Sequence, residues 1–459
     1  MEAVHGNSNL ETKKGKRLIL FPAPLQGHIN PVIQLANILH AKGFDIIIVH
    51  TKFNSIDQSK YPHFTFHSIQ DGLLEHEAST SDVVDLMIKL NGNCVQPFGE
   101  CLANLLSDGQ TKPVISCLII DSFWYFTREL GDRFKLPILA FRTVSVCSAL
   151  AFNSLLLFQK LGYLSKPDSE LEEEIPEFPP LRMKDIPVIK SRYPDGIFKL
   201  ISSILESNRA ASGLIFNSFR ELEEPALTKI SQECQSPTFA IGPFLKYFPA
   251  SPSSLMEPDQ SAIHWLNKQA PKSVIYVSFG STVHLNEAQM SEVASVIANS
   301  VRPFLWVVRP GLVRNSFRVE NLLNGFLEAV NRRVHIVNWA PQQEVLAHPA
   351  IGGFWTHSGW NSTLESICEG VPMICSPFYG DQLINSRFVN DVWKIGLRVE
   401  KGLVKGEIER VIERLMDEKE GKEIRERVLS YKEKINACTE EGGSSQQSLQ
   451  GLIDRILSF

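Results

Sequence analysis

The chain contains no C-x-x-C pair, no apolar run long enough to cross a bilayer, no basic excess and no G-x-G-x-x-G turn. Each absence removes a class of protein. The eight cysteines, at 94, 101, 117, 147, 234, 368, 375 and 438, follow no zinc spacing. Several fall inside apolar strands or helices, which suits reduced, buried thiols of a cytosolic protein. No metal and no cofactor are expected. The most apolar long stretch, Val144–Phe158, is interrupted by Ser145, Ser148, Asn153 and Ser154. It is also shorter than the roughly 20 apolar residues of a membrane span, so it reads as a buried helix. No apolar h-region follows Met1, so no secretory leader is expected and the expected location is cytoplasmic. A net charge of -5 argues against nucleic-acid and anionic-membrane partners, which need a basic surface. The basic run Lys13–Arg17 reads as a solvated leader. Nothing calls for more than a monomer.

What is present is a repeated strand–helix alternation. "RLILFPAP" reads as a buried strand and Gln26–Asn30 as a loop. Asn30 and Pro31 then supply an N-cap and a proline at the first helical position. Val32, Leu35, Ala36 and Leu39 recur at helical spacing, Gly43 ends the helix, and Asp45–His50 is the next strand. Apolar strands on either side of an amphipathic helix predict a parallel sheet covered on both faces. Val114–Asp121 and Leu136–Phe141 read as further strands of it. Gly242–Gln260 is rich in proline and serine, and the alternation restarts after it. The expected division is a first domain over 1–245, a linker over 246–260, a second domain over 261–436 and a C-terminal helix near the domain boundary over 437–459. The fold class is α/β, with two doubly wound, Rossmann-like domains facing across a cleft.

In such sheets ligands bind outside the carboxyl ends of the strands. The conspicuous polar clusters fall there: Gln26–Asn30, Asp121–Phe126, Ser278–Thr282 and the loops between Trp339 and Gln382. In "HSGWNSTLES" a strand ends at His357, Ser358 and Gly359 make a turn, and a helix begins near Asn361. A helix N-terminus presents free N–H groups and a positive dipole end, which suits a phosphate. Ser362 and Glu365 also have the spacing of a capping box, but that leaves His357, Trp360 and Asn361 unexplained. The missing glycine fingerprint sets aside a nicotinamide enzyme.

The segment "WAPQQEVLAHPAIGGFWTHSGWNSTLESICEGVPMICSPFYGDQ", Trp339–Gln382, resembles the donor-binding motif of plant family 1 UDP-dependent glycosyltransferases, the secondary-metabolite glucosyltransferases. "GHINP", "PHFTFHSI" and "VSFGS" extend the resemblance over almost the whole chain. It implies the GT-B fold, with UDP-glucose as sugar-donor substrate held mainly by the second domain, and it assigns acceptor binding to the first domain, 1–245. Carried over, Trp339 stacks on uracil, Ala340 and Gln342 fix the base edge, and Glu365 accepts from the ribose hydroxyls. His357, Asn361, Ser362 and Ser281 hold the diphosphate. The backbone at Trp360, with Asp381 and Gln382, grips the sugar, and the closing glutamine goes with glucose. The motif's common cysteine before Gly359 is Ser358 here.

His28 and Asp121 match the family's catalytic dyad. Both lie at carboxyl ends of strands of one predicted sheet, where a carboxylate can fix an imidazole tautomer. The histidine is expected to take the acceptor proton as its oxygen attacks the anomeric carbon. A single displacement gives inversion, from an α-linked donor to a β-glucoside. Phe123, Trp124, Thr143, Ser145 and Tyr379 are expected to touch the acceptor, along with Gly72–Gly92 and Ile186–Leu205; Tyr125 and Phe378 are further candidates. Apolar walls carrying a few hydroxyls suit a small lipophilic molecule of flavonoid or terpenoid type. Two alternatives stand beside this reading. One is an N- or ester-forming glucosyltransferase, and the other a non-catalytic UDP-sugar-binding homologue.

Overall fold

The computed structural model describes residues 16–78, 82–107, 114–187, 189, 191–193, 195–234, 236–248, 256–313, 326 and 333–459. Strands that are apolar at nearly every position must be covered on both faces, and both sheets meet that requirement. The first contains β1 (Lys16–Phe21), β2 (Asp45–Thr51), β3 (Thr65–Ile69), β4 (Val114–Asp121), β5 (Ile138–Arg142), β6 (Gly213–Phe216) and β7 (Thr238–Ala240). Their order is β3-β2-β1-β4-β5-β6-β7, and every pairing is parallel. The second contains β8 (Val274–Ser278), β9 (Phe304–Val307), β10 (Val334–Val337), β11 (Ile351–Thr356), β12 (Met373–Cys375) and β13 (Gly396–Arg398). It runs β10-β9-β8-β11-β12-β13, again all parallel. Strand order therefore reverses twice, between β1 and β4 and between β8 and β11. Those switch points are where an open parallel sheet leaves a crevice for a ligand.

The chain forms two compact units: Met1–Leu161 with Val188–Leu255 and Ala437–Phe459, and Gly162–Pro187 with Met256–Asn436. The first unit's core gathers strand residues such as Leu18, Ile48 and Ile119 with Leu449, Leu452, Ile453 and Ile456 of the helix Ser444–Leu457. Each such side chain is worth about 1.5–3 kcal/mol of burial, so the last helix is a full member of that core. Ser445 Oγ donates to the Gly242 carbonyl at 2.7 Å, and Lys16 Nζ to that of Leu457 at 2.8 Å. In the second unit, Asp185 and Arg387 are both fully buried and 2.8 Å apart. Arg398 bonds the same carboxylate at 2.6 Å, and Arg387 reaches Glu400 at 2.9 Å. This buried charge cluster fastens Gly162–Pro187 to β13 and to the helix Asp381–Arg387.

Several helix boundaries differ from those expected. The first helix spans Gln26–Ala41, so the Asn30–Pro31 pair does not start it. Pro31 sits in the second turn, where it removes one backbone bond, and His28 lies in the first turn of a helix. The helix expected from Asn361 or Ser362 begins at Trp360 with Gly359 as its N-cap. The helix expected over Gln382–Ile395 is α-helical over Asp381–Arg387 and continues as a π-helical turn to Val392. Val144–Phe158 contains a buried helix, Val146–Asn153, followed at Ser154 by a second, Leu155–Lys160, on which Leu156 and Leu157 are exposed. The expected linker lies partly outside the described residues, which omit 249–255, and so does most of the basic run, at 13–15. Among the described residues no helix is long and apolar enough to cross a membrane.

Candidate active site

Two polar constellations stand at the two switch points. At the first, β1 leads into the helix that carries His28, and β4 ends on Asp121. Asp121 is 1% exposed and divides its carboxylate between two donors. Oδ1 accepts from the Phe123 N–H at 3.0 Å, and Oδ2 lies 2.7 Å from His28 Nδ1. A carboxylate at that distance keeps the proton on Nδ1 and leaves the lone pair on Nε2. Phe123 packs against the imidazole with ring centroids 4.7 Å apart. The Thr143 hydroxyl is 3.0 Å from the same Nδ1, so it backs the pair from the Asp121 side.

Two expected acceptor residues are corrected here. Trp124 is 1% exposed, stacks on Phe21 at 4.5 Å and donates its Nε1–H to the Pro22 carbonyl. It covers the sheet and is absent from the lining of the cavity described below. Ser145 is fully buried as the N-cap of Val146–Asn153, its hydroxyl accepting from the Ser148 N–H. Glu223 accepts from the N–H groups of Val146 and Cys147 at the same helix start. Beyond Phe123, the same turn sends Tyr125 into an open cavity of about 650 Å³, whose walls include Ile88, Phe198, Leu200, Ser202 and Ser203. Asn91 links this wall to the turn, donating to the Phe123 carbonyl at 2.8 Å from the helix that carries Ile88. The expected ranges Gly72–Gly92 and Ile186–Leu205 both contribute, although 79–81, 188, 190 and 194 lie outside the described residues.

At the second switch point Ser278 of β8 pairs with Thr356 of β11, so their following loops run side by side. The His357 imidazole wedges between them. A Cβ built on Gly280 would stand 2.6 Å from the ring, and one on Gly359 2.5 Å from its Nε2. Both glycines are there because the histidine fills the space their side chains would need. Burial pulls the His357 pKa down to about 4, although the neighbouring Ser278 backbone works the other way. An unfolded histidine takes up its proton near 6.5, whereas the native one waits until about 4. Between those values the unfolded state binds more protons, so stability falls as pH drops, by up to roughly 3 kcal/mol. Urea unfolding near pH 7 and near pH 4.5 should show a larger loss in the wild type than in His357→Gln. Equal losses would contradict the buried neutral imidazole.

Ser362 and Glu365 form no capping box, because the helix starts earlier at Trp360 and no side chain caps Gly359. Instead, Gln342 Nε2 donates to Ser362 Oγ at 2.9 Å and also to Glu365, while Gln343 Nε2 donates to the other Glu365 oxygen at 3.1 Å. Tyr276 donates to Gln342 Oε1 at 3.2 Å. Burial raises the Glu365 pKa, and the two glutamine amides oppose it. A hydroxyl pair could replace those amides on the carboxylate. Trp339 and Ala340 follow β10, the tryptophan half-buried and the alanine buried, with the Trp339 carbonyl accepting from the Asp259 N–H at 2.8 Å. Trp360 is itself buried, and Asn361 and Ser281 are half-buried at the ends of the two facing loops.

Gln382 is 4% exposed, and its amide oxygen accepts from the Phe378 N–H at 3.0 Å, leaving the amide nitrogen as its donor. Asp381 accepts from Asn385 at 3.0 Å, and Asn385 also donates to the Ser358 carbonyl. Tyr379, expected at the acceptor, donates its hydroxyl to Thr282 Oγ1 at 2.9 Å, tying the loop after β12 to the loop after β8. Arg309 was absent from the expected site. It is buried just past β9 and donates to the Gly280 and Val283 carbonyls. A charged residue closing the apolar run "FLWVVR" was the available signal.

Residues 253–431 match the family model described as UDP-glucoronosyl and UDP-glucosyl transferase. The chain is 47% identical to UDP-glycosyltransferase 76B1 of Arabidopsis thaliana, over 98% of this chain and 100% of that one. It is 43% identical to the flavonol 3-O-glucosyltransferase UGT76E12 of the same plant, over 97% and 98%. Among solved structures, the Phytolacca americana protein UGT2, complexed with UDP-2fluoro-glucose and pterostilbene, superposes with a TM-score of 0.78 at 26% identity, covering 96% of this chain and 99% of that one. With two parallel Rossmann-like sheets and nearly full-length kinship to these enzymes, the chain belongs to the UDP-glycosyltransferase family and has its GT-B fold.

Proposed function

We propose that the protein transfers glucose from UDP-glucose to a hydroxyl of a small lipophilic plant metabolite, without a metal and with inversion, giving a β-glucoside. The observation that carries this reading is the His28–Asp121 contact of 2.7 Å at the β1/β4 switch point. With Nδ1 committed to the carboxylate, Nε2 is the basic nitrogen that removes the acceptor proton. The oxygen attacks the anomeric carbon, the bond from that carbon to the β-phosphate oxygen breaks, and UDP leaves. Trp339 and Ala340 hold uracil, Gln342 fixes Glu365, and Glu365 accepts from the ribose. Ser281, His357, Asn361 and Ser362 receive the diphosphate where the helix N-terminus offers N–H groups and a positive dipole end. The Trp360 backbone, Asp381 and the Gln382 amide take the sugar hydroxyls.

For the acceptor, Phe123 and Thr143 flank the base, and the cavity walled by Tyr125, Ile88 and Phe198 receives the remainder. Its aromatic and aliphatic walls, which also carry Gln159, Asp195 and Lys199, favour a phenolic or terpenoid aglycone bearing polar groups. The flavonol glucosyltransferase among the relatives supports that class. A free monomer in the cytoplasm accommodates this chemistry. The test is incubation with UDP-glucose and a panel of phenolic and terpenoid acceptors, followed by mass spectrometry and assignment of the anomeric proton. A hexose adduct with β configuration is expected. An α-linked product would contradict the single displacement, and products formed only on amines or carboxylates would replace the hydroxyl reading.

A further inference from the structure

We infer that Arg309 is a positioning residue for the donor diphosphate, fixing the Gly280–Val283 loop and placing an uncompensated positive charge behind it. The inference rests on the donor site proposed above. Arg309 is 8% exposed, two residues past β9. Its Nε donates to the Gly280 carbonyl at 3.0 Å, its Nη1 to Pro310 at 3.3 Å and its Nη2 to Val283. The guanidinium fork thus clamps both ends of the loop that carries Ser281 and Thr282. On the other side His357 leaves no room for a Cβ at Gly280, whose φ is +70°. A loop held from two strands presents its N–H groups and hydroxyls in one arrangement, with little left to order when a ligand arrives.

The charge is the second half of the inference. Arg387 and Arg398, the other buried arginines among the described residues of this unit, lie against Asp185 and Glu400. Arg309 has carbonyl acceptors only, with no carboxylate partner among the described residues. Carbonyl dipoles satisfy its N–H groups but leave its charge unbalanced, an unfavourable state inside a protein. Burial accordingly lowers its pKa, with Tyr379 acting in the opposite direction. A bound diphosphate supplies the missing counter-charge. Arg309 therefore acts on the anionic part of the donor and is indifferent to the nucleoside.

Calorimetric titration with UDP and with uridine separates the two effects, run on the wild type, Arg309→Gln and Arg309→Lys. The glutamine variant should weaken UDP binding at least about tenfold and change uridine binding less than about twofold. KM for UDP-glucose should rise with it. Arg309→Lys, which keeps the charge without the fork, should recover part of the loss. Unchanged UDP affinity in Arg309→Gln overturns the inference, and so does an equal loss of UDP and uridine, which would make the arginine purely structural. A folded wild type that binds uridine but gains nothing from the diphosphate overturns it as well. A folded wild type that binds neither ligand overturns the donor site itself. Should both variants fail to fold, hydrogen exchange on the wild type decides. UDP must then raise protection at residues 281–283 and 309–312 together, and no change there overturns the inference.

Discussion

Replacing His28 by alanine is expected to lower kcat by roughly 10²–10⁴-fold while leaving UDP affinity unchanged. The reason lies in where the residue sits. His28 belongs to the unit containing β1 and β4, and its ring is held by Asp121 Oδ2 at 2.7 Å with Thr143 and Phe123 against it. None of the expected nucleotide-binding residues belongs to that unit. Removing the base should therefore raise the barrier to proton removal and spare donor binding. Asp121→Asn should be less severe, since it leaves an imidazole in place but no longer dictates its tautomer. Steady-state kinetics together with UDP calorimetry check both variants. A His28→Ala enzyme that kept most of its kcat would mean that the acceptor needs no base, as a carboxylate would not.

Gly280→Ala is expected to damage both stability and donor binding through a single added methyl group. Its Cβ would lie 2.6 Å from the His357 imidazole, and the backbone there holds φ +70°. Left-handed backbone at a non-glycine residue costs about 1–2 kcal/mol, and forcing a methyl group into a packed site typically another 1–3. A loss of roughly 2–5 kcal/mol in unfolding free energy follows, with UDP affinity lost at the same time because the imidazole or the loop must move. Gly359→Ala separates the contributions. Its φ is -63°, so only the contact of 2.5 Å with His357 Nε2 remains. It should therefore lose less stability and still weaken UDP binding. Chemical denaturation and calorimetry on the two variants measure this. Equal stability losses would contradict the separate backbone contribution at Gly280.

The parallel sheets were legible because buried strands leave apolar runs, as in "LILF" and "CLII". His28, Asp121, Ser281 and His357 were legible for a related reason, since each is a polar residue where such a run stops. Trp124 was not, because a tryptophan after a strand reads the same whether it lines a pocket or stacks on Phe21 beneath the turn. The Asn30–Pro31 pair misled through a sound local rule, as the helix had already begun at Gln26. The rival capping reading of Ser362 fails for a similar reason, since the residue lies inside a helix begun at Trp360. Arg309, Tyr276 and Gln343 reach Gly280, Gln342 and Glu365 through contacts across 29, 66 and 22 residues of sequence. No local pattern carries pairings at that distance.

The most direct test of the central claim, that the β8/β11 switch point holds the donor, is calorimetric titration of the folded protein with UDP and UDP-glucose beside Asn361→Ala. Asn361 occupies the first turn of the Trp360–Glu369 helix, is not among its buried residues, and is the proposed side-chain donor to the diphosphate. The expected result is saturable binding of both ligands by the wild type, weakened by about 1–3 kcal/mol in the variant. Binding that is equally strong in both proteins, or absent from a folded wild type, would contradict the placement of the nucleotide at this helix.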